Sequence, residues 1–204
     1  MINALMLLLS PAPTWKRIAS ADRSPILVLL FSLVPLLAVT CGVEAWSLWK
    51  FGTRDGTIDR VQKIPLELAM RYGTTHFVLG IVISFLAAWM LHNIASGVHI
   101  RHTFRGCYNS IAYAMGPAYL LRLADAWDFL NTWVVLGAAV FLIFSVLYGA
   151  IPHVIKPDPA KAFGLYLAGA VTLSASHVAA HIFAVLVLRE TLFKGGLGLG
   201  ILGY

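Results

Sequence analysis

The amino-acid sequence predicts an all-α fold, a polytopic membrane bundle of five transmembrane helices with short interfacial helices beside them. Hydrophobic residues make up 59% of the 204 positions and charged residues only 12%, whereas soluble proteins carry about 25% charged residues. Five apolar segments approach the roughly 20 residues that a helix needs to cross the hydrocarbon core. Of the 24 charged residues, 23 lie outside those segments, and this segregation predicts a membrane topology.

The five predicted spans follow one another within a single membrane domain, residues 1–204. They comprise residues 25–49, 75–98, 106–121, 129–151 and 162–188. Lipid offers the backbone no hydrogen-bond partners, so each segment must satisfy its own polar groups and forms a helix rather than a strand. The third span is the shortest, at sixteen residues, and Gly116-Pro117 interrupts it. Pro35 bends the first span because it removes one helical hydrogen bond.

The segments beside the spans are predicted to lie at the membrane surface. Residues 1–24 form an interfacial segment with Trp15 as an anchor, and residues 50–74 form an amphipathic loop. Four charged residues of this loop recur at every fourth position and so share one helical face: Asp59, Lys63, Glu67 and Arg71. Pro65 predicts a break into two short helices, with the proline as the first residue of the second. Four tryptophans fall on one membrane face and predict an interfacial belt: Trp46, Trp49, Trp127 and Trp133.

The net charge of +6 indicates contact with the lipid bilayer rather than with nucleic acid. The basic residues lie in short loops beside apolar stretches, where anionic headgroups are the nearest partners. Seven of them fall on the face that holds the N-terminus and eight on the other, and the weight of the short loops favours an N-terminus inside. The two cysteines, Cys41 and Cys107, form no disulfide framework.

Intramembrane histidines form the first candidate site. His177 and His181 are four residues apart in the fifth span and share a helical face. The five-span threading places Glu44 and His76 in the same half of the bilayer, so these four residues could bind a divalent metal such as zinc or relay protons. Alternatively, the histidines hydrogen-bond to neighbouring helices and Glu44 is solvated near Trp46. We favour this second interpretation because interhelical polar bonds are common in membrane bundles, and no cofactor is firmly predicted.

A second cluster of histidines and arginines lies where the second span ends, and His92 precedes it within that span. Its members are His99, Arg101, His102 and Arg105. Two arginines with imidazoles could contact a lipid phosphate or an acidic segment of a protein partner. An ordinary basic loop is the favoured alternative, and a lipid-modifying site in this loop is a third.

Small residues recur every four positions in the fifth span. The stripe begins with Gly164, Ala168, Thr172 and Ser176. Small side chains let membrane helices approach closely, so the pattern predicts a central packing helix or, alternatively, the interface of a homo-oligomer.

Short motifs give the chain a resemblance to a known family. The turn Thr103-Phe104-Arg105-Gly106 leads into a third span that carries Ala112-Tyr113-Ala114-Met115-Gly116-Pro117. Together with Pro11, Thr14-Trp15 and Ile18 near the N-terminus, this order of features resembles the bacterial branch of the Yip family. Those five-span proteins are named for interaction with Ypt/Rab GTPases.

The resemblance implies a five-helix bundle with a cytosolic N-terminus, no known catalytic activity, and roles in protein interaction or membrane shaping. Tyr113 and Pro117 are carried over as structural elements of the third helix. Eukaryotic relatives have a long N-terminal region and an Asp-Leu-Tyr-Gly-Pro-like motif, which this sequence lacks, so GTPase binding is not carried over.

The leading functional hypothesis is therefore a non-enzymatic membrane protein of Yip type in the inner membrane of a bacterium. It acts through protein or lipid contacts, as a homo-oligomer or as a subunit of a membrane assembly. The alternative is a small transporter or a metal- or proton-handling protein that uses the intramembrane histidines and Glu44.

Overall fold

In the computed structural model the described residues are 2–54, 61–127 and 130–188, and helices account for most of them. The helices are α1 (Ile2–Leu9), α2 (Pro11–Ala21), α3 (Pro25–Phe51), α4 (Leu66–Gly97), α5 (Phe104–Arg122), α6 (Thr132–Ile155) and α7 (Pro159–Leu188). A 3₁₀ turn, Leu123–Ala126, follows α5. Two short strands, β1 (Thr53–Arg54) and β2 (Val61–Gln62), pair antiparallel between α3 and α4. The all-helical membrane architecture predicted from composition is confirmed.

Four of the helices are long and apolar enough to cross a membrane: α3, α4, α6 and α7. They correspond to the first, second, fourth and fifth predicted spans. The predicted third span is also a helix, α5, but it is less apolar than the others. Every residue from Cys107 to Tyr119 is buried, so α5 is covered by protein on all sides. A helix enclosed in this way needs no apolar surface toward lipid, which explains the polar Asn109 and Ser110 within it.

Proline shapes three of the helices. A π-helical turn, Leu29–Leu33, precedes Pro35 in α3, and another, Ile151–Ile155, contains Pro152 at the end of α6. Both widen the helix where a proline has no N–H to donate and its ring would clash with the preceding turn. In α5 the helix continues through Pro117, so the interruption predicted at Gly116-Pro117 does not occur.

A helix does begin directly after Pro65, but the two short helices predicted around this proline are not found. Residues 61–62 form a strand, and residues 55–60 lie outside the described residues. Pro65 is the N-cap of α4, which then runs without interruption for 32 residues to Gly97. Glu67 and Arg71 form an exposed ion pair of 2.6 Å on its first turns, as their spacing predicts. Lys63 precedes the helix, and Asp59 lies outside the described residues.

The N-terminal segment packs against the bundle. In α1, Ala4 is buried against Gly116 of α5. In α2, the Trp15 side chain is completely buried, and its indole N–H donates to the Val146 carbonyl of α6 at 3.0 Å. Trp15 therefore joins α2 to α6 and is not the exposed interfacial anchor that the sequence suggests. A buried indole N–H needs a hydrogen-bond acceptor, and Val146 supplies one.

The small-residue stripe of α7 rotates from the surface into the core. Gly164 is exposed, with no atom within 4 Å of the position of a Cβ. Ala168, Thr172 and Ser176 are half-buried, and Ala184 is fully buried. A helix turns about 100° per residue, so a strict four-residue repeat drifts by about 40° at each step. Of the two glycines in α7, only Gly169 lies against a neighbouring helix: a Cβ there would lie 3.0 Å from Leu91 of α4.

The close packing of α3 against α4 is expected to depend on Gly73. A Cβ there would lie 2.9 Å from the Ala45 Cβ and 3.0 Å from the backbone oxygen of Cys41. Because a backbone atom cannot move aside, Gly73→Ala should lower stability by about 1–3 kcal/mol. Thermal unfolding of the detergent-solubilised protein, followed by circular dichroism, measures this change.

Gly42→Ala is the matched control, because nothing lies within 4 Å of its Cβ position in α3. It should be neutral or stabilise by roughly 0.5–1 kcal/mol, since alanine favours the helix. Equal melting temperatures for the two variants would contradict the close approach at Gly73.

Candidate functional site

A cluster of buried ionisable side chains joins four helices around Arg122. Glu44 comes from α3, His76 from α4, Arg122 from the last turn of α5 and His181 from α7. None of the four is more than 3% exposed. Isolated charges at such positions are costly, so they must be paired and hydrogen-bonded.

The guanidinium of Arg122 is the centre of the cluster. Its Nη1 lies 2.9 Å from Nε2 of His76, and its Nη2 lies 3.0 Å from Nδ1 of His181. Nη2 also forms an ion pair with Oε1 of Glu44 at 3.0 Å. The fourth contact closes a ring, because Nδ1 of His76 lies 2.9 Å from Oε2 of Glu44. Each carboxylate oxygen of Glu44 therefore faces a nitrogen.

These contacts determine the histidine tautomers. A guanidinium only donates, so Nε2 of His76 and Nδ1 of His181 accept hydrogen bonds and carry no proton. The proton of His76 is then on Nδ1, from which it donates to Glu44. The proton of neutral His181 is on Nε2, which has no hydrogen-bond partner among the described residues.

Asp125 extends the cluster toward the end of the bundle. Its Oδ2 accepts from Nε of Arg122 at 3.4 Å, across the turn between α5 and the 3₁₀ segment. Burial raises the pKa of Asp125 to about 6, although the positive charge of Arg122 acts in the opposite direction. Ser47 of α3 donates to the backbone oxygen of Asp125 at 3.4 Å. The end of α5 is thus held against the end of α3.

The cluster lies near the level of the tryptophans. The Trp133 ring contacts the imidazole of His181, with centroids 5.6 Å apart, and Trp46 follows Glu44 by two residues. Trp46, Trp49, Trp127 and Trp133 are all exposed. Interfacial tryptophans mark the level of the lipid headgroups, so the buried charges lie toward one end of the bundle and not at its centre.

Of the four residues predicted to bind a metal, the structure brings three together. Glu44, His76 and His181 meet at Arg122, and Glu44 is paired rather than solvated. His177 lies one turn away, where its ring packs against Tyr119 at a centroid distance of 5.3 Å. Zinc binding by this set stays a prediction. The positive charge of Arg122 occupies the centre of the cluster and opposes a second cation there.

A different set at the same place has ligand atoms close enough for one ion. The thiol of Cys41, the carboxylate of Glu44 and the imidazole of His76 have such atoms within 4.8 Å of one another.

Sequence reasoning missed Arg122 because the predicted third span ended at Leu121. The arginine was then counted among the loop charges. No turn residue follows Leu121, so the helix continues and carries Arg122 on the same buried side as Tyr119. The absence of a helix-breaking residue is the signal that could have found it.

The members of the second predicted cluster, in the loop before α5, do not lie together in the structure. His99, Arg101 and Arg105 are exposed, and Arg105 forms an ion pair of 2.9 Å with Asp22 at the end of α2. His102 instead turns inward, and its Nε2 lies 2.8 Å from Nδ1 of His92. The loop therefore presents basic groups at the surface and an imidazole pair beneath them.

The two residues carried over as structural elements are both buried in α5. Tyr113 and Pro117 lie one turn apart, and since Pro117 has no N–H, the helix leaves the carbonyl of Tyr113 without its usual donor.

Comparisons of the chain with protein-family models, with curated proteins and with solved structures gave no match. The resemblance to the Yip family therefore stays a prediction that depends on the sequence motifs.

Removing the central charge is expected to destabilise the bundle strongly. Arg122→Met leaves Glu44 buried without its cationic partner and should cost about 3–5 kcal/mol. The double variant Arg122→Met/Glu44→Leu should recover part of that loss, because the Glu44 charge is removed together with its partner. Chemical or thermal unfolding in detergent measures both.

Arg105→Met is the control for Arg122→Met. It breaks the exposed Arg105–Asp22 pair and should cost at most about 1 kcal/mol. A double variant no more stable than Arg122→Met alone would contradict the pairing of Arg122 with Glu44.

Asp125 is expected to make stability depend on pH. Its folded-state pKa of about 6 is above its ordinary value of 3.8, so the folded protein binds the proton more tightly than the unfolded chain. Stability should therefore rise as pH falls from about 6 to about 4, and this contribution should vanish in Asp125→Asn. Melting temperatures of both proteins across that range test the expectation, and parallel pH profiles would contradict it.

Proposed function

We propose that this chain is a non-enzymatic integral membrane protein of Yip type that acts through protein or lipid contacts. One observation carries the proposal: four ionisable groups inside the bundle bond to one another. Glu44, His76 and His181 all contact Arg122 and are nearly inaccessible. Groups engaged in this way hold helices together and present no reactive atom to a substrate, so the working surface is the outside of the bundle.

The proposal includes five membrane crossings, with α5 as the third. Its 19 residues make a helix of about 28 Å at 1.5 Å per residue, close to the thickness of a hydrocarbon core of roughly 30 Å. At its start, Asn109 donates to the Arg23 carbonyl, just before α3. At its end, Asp125 meets Ser47, near the end of α3. These contacts support an α5 that runs the length of the bundle, parallel to α3.

A contact between the ends of two other helices also supports five crossings that alternate in direction. Lys161, at the start of α7, donates to the Val98 carbonyl at the end of α4 at 2.8 Å. This end of the bundle, where α2 also lies, carries seven basic residues and only two acidic ones, Asp22 and Asp158. Short basic loops face the cytoplasm in bacterial membrane proteins, so the proposal places this end on the cytoplasmic side of a bacterial inner membrane. Anionic lipid headgroups, or an acidic segment of a partner, fit this surface.

The proposed lipid contact is testable at two exposed lysines of this end. Lys16 and Lys156 lie beside one another with Ser20 and His153. Each charge contributes about 1 kcal/mol to attraction toward an anionic surface, so Lys16→Gln/Lys156→Asn should lower the retention of anionic lipid about tenfold or more. Native mass spectrometry of protein released from nanodiscs of mixed phosphatidylglycerol and phosphatidylcholine measures it.

Lys50→Gln/Lys63→Gln, at the opposite end, is the matched control and should retain anionic lipid like the wild type. Equal loss in both double variants would contradict a contact specific to the basic end. Substrate turnover by the purified protein would contradict the non-enzymatic proposal as a whole.

A proton-handling protein is the second candidate, and unpartnered polar atoms favour it. Both ring nitrogens of His177, the hydroxyl of Tyr119 and Nε2 of His181 are buried without hydrogen-bond partners among the described residues. They lie directly beside the Arg122 cluster. Intramembrane histidines of this kind are candidates for proton relays. A pH-driven proton flux into liposomes that His177→Phe abolishes would favour this candidate over the first.

A further inference from the structure

Two histidines and a cysteine meet at the end of the bundle opposite the Arg122 cluster. His92 is in the last third of α4, His102 is in the loop that follows, and Cys107 is in the first turn of α5. Each offers one ligand atom, and the three atoms lie within 4.8 Å of one another. Cys107 is a completely buried free thiol, and the two imidazoles are half-buried.

We propose that His92, His102 and Cys107 form a zinc-binding site that ties the end of α4 to the start of α5. The site shares no residue with the Arg122 cluster, and the inference does not depend on the proposed function.

The hydrogen bonds of His102 orient it as a metal ligand. Its Nδ1 lies 2.7 Å from the Ile100 carbonyl oxygen, and because a carbonyl only accepts, this nitrogen carries a proton and donates. Metal-bound histidines have this arrangement, in which the outer nitrogen donates to a carbonyl and fixes the ring. The inner nitrogen, Nε2, lies 2.8 Å from Nδ1 of His92 and 3.1 Å from the His92 carbonyl oxygen. A neutral His102 with its proton on Nδ1 accepts at Nε2, so Nδ1 of His92 carries the proton between the two rings. A metal ion bound by both nitrogens would replace that proton.

The distances fit a tetrahedral ion after a small adjustment. Zinc–nitrogen bonds of about 2.0–2.1 Å and zinc–sulfur bonds of about 2.3 Å place two nitrogens about 3.3 Å apart and each nitrogen about 3.6 Å from the sulfur. The two imidazoles must therefore separate by about 0.5 Å from their present 2.8 Å, and the Cys107 sulfur, which lies within 4.8 Å of both nitrogens, must come to about 3.6 Å from each; rotation of the three side chains provides both changes. Three protein ligands leave a fourth position for water at the half-buried side.

The donor set selects the class of ion. Imidazole and thiolate suit zinc and copper(I), whereas magnesium and calcium require oxygen ligands. Among the described residues no carboxylate belongs to this group, and the ring of Phe104 packs on His92 at 5.9 Å. The thiol must lose its proton on binding, so affinity should rise with pH.

Metal analysis of the purified full-length protein tests the site. After chelator treatment and dialysis against zinc, the wild type should retain one zinc per chain, and the affinity of Cys107→Ser and of His102→Gln should fall at least tenfold. Cobalt(II) substituted into the wild type should show thiolate-to-metal charge-transfer absorption and the strong visible bands of a tetrahedral ion. The cobalt spectrum uses the unaltered chain, so it tests for a thiolate ligand even where a variant fails to fold, and the spectrum of Cys41→Ser then tells which of the two thiols supplies it.

Two control variants should bind zinc like the wild type. His153→Gln removes another half-buried imidazole of the same end, whose Nδ1 also lies 2.7 Å from a carbonyl, that of Gly149. Cys41→Ser removes the other buried thiol. Zinc lost in Cys41→Ser but kept in Cys107→Ser would assign the metal to the Cys41–Glu44–His76 set and overturn the proposal. Wild-type protein without zinc, or without the thiolate band of cobalt, would overturn it as well.

Discussion

The buried guanidinium of Arg122 is the charge on which the arrangement of the helices depends. It forms an ion pair with Glu44 and donates to His76 and His181, and so it links α5 to α3, α4 and α7 at one end of the bundle. In a medium of low dielectric constant, an unpaired charge costs far more than a paired one gains. Any shift of one helix that breaks a contact leaves a charge or a lone pair without a partner. The cluster therefore specifies how the four helices are positioned relative to one another.

A central α5 follows from this arrangement. Its ends are held by polar contacts, Asn109 to the backbone before α3 and Arg122 to the ionic cluster. Between them it is enclosed by the other helices, and α1 packs on it where Ala4 meets Gly116. Protein on every side supplies hydrogen-bond partners that lipid cannot. For this reason the least apolar of the long helices is the one in the middle, and the more apolar helices form the surface toward lipid.

Local sequence patterns predicted well where the helices lie along the chain, but poorly how the helices pack against one another. The first predicted span, residues 25–49, matches α3 within two residues, because a long apolar run has only one stable conformation in lipid. A helix begins directly after Pro65, since proline suits the start of a helix, but it is the beginning of the long α4 and not a short surface helix. The stripe that begins at Gly164 was a real repeat, but its slow rotation around α7 carries it from lipid into the core. Where a face points depends on the neighbouring helices.

The sequence by itself determined that this is a membrane protein and that Glu44 is the acid within a span, because both follow from the positions of the charges along the chain. The tertiary structure alone decided what Glu44 meets. Its partner Arg122 is 78 positions away in the numbering, and no local pattern relates two residues at that separation. The same holds for His92 and Cys107, which become neighbours only because α4 and α5 pack together where the chain turns. The polar clusters of this bundle form between helices. The sequence therefore shows which residues could take part in them, and only the fold shows which of these residues meet.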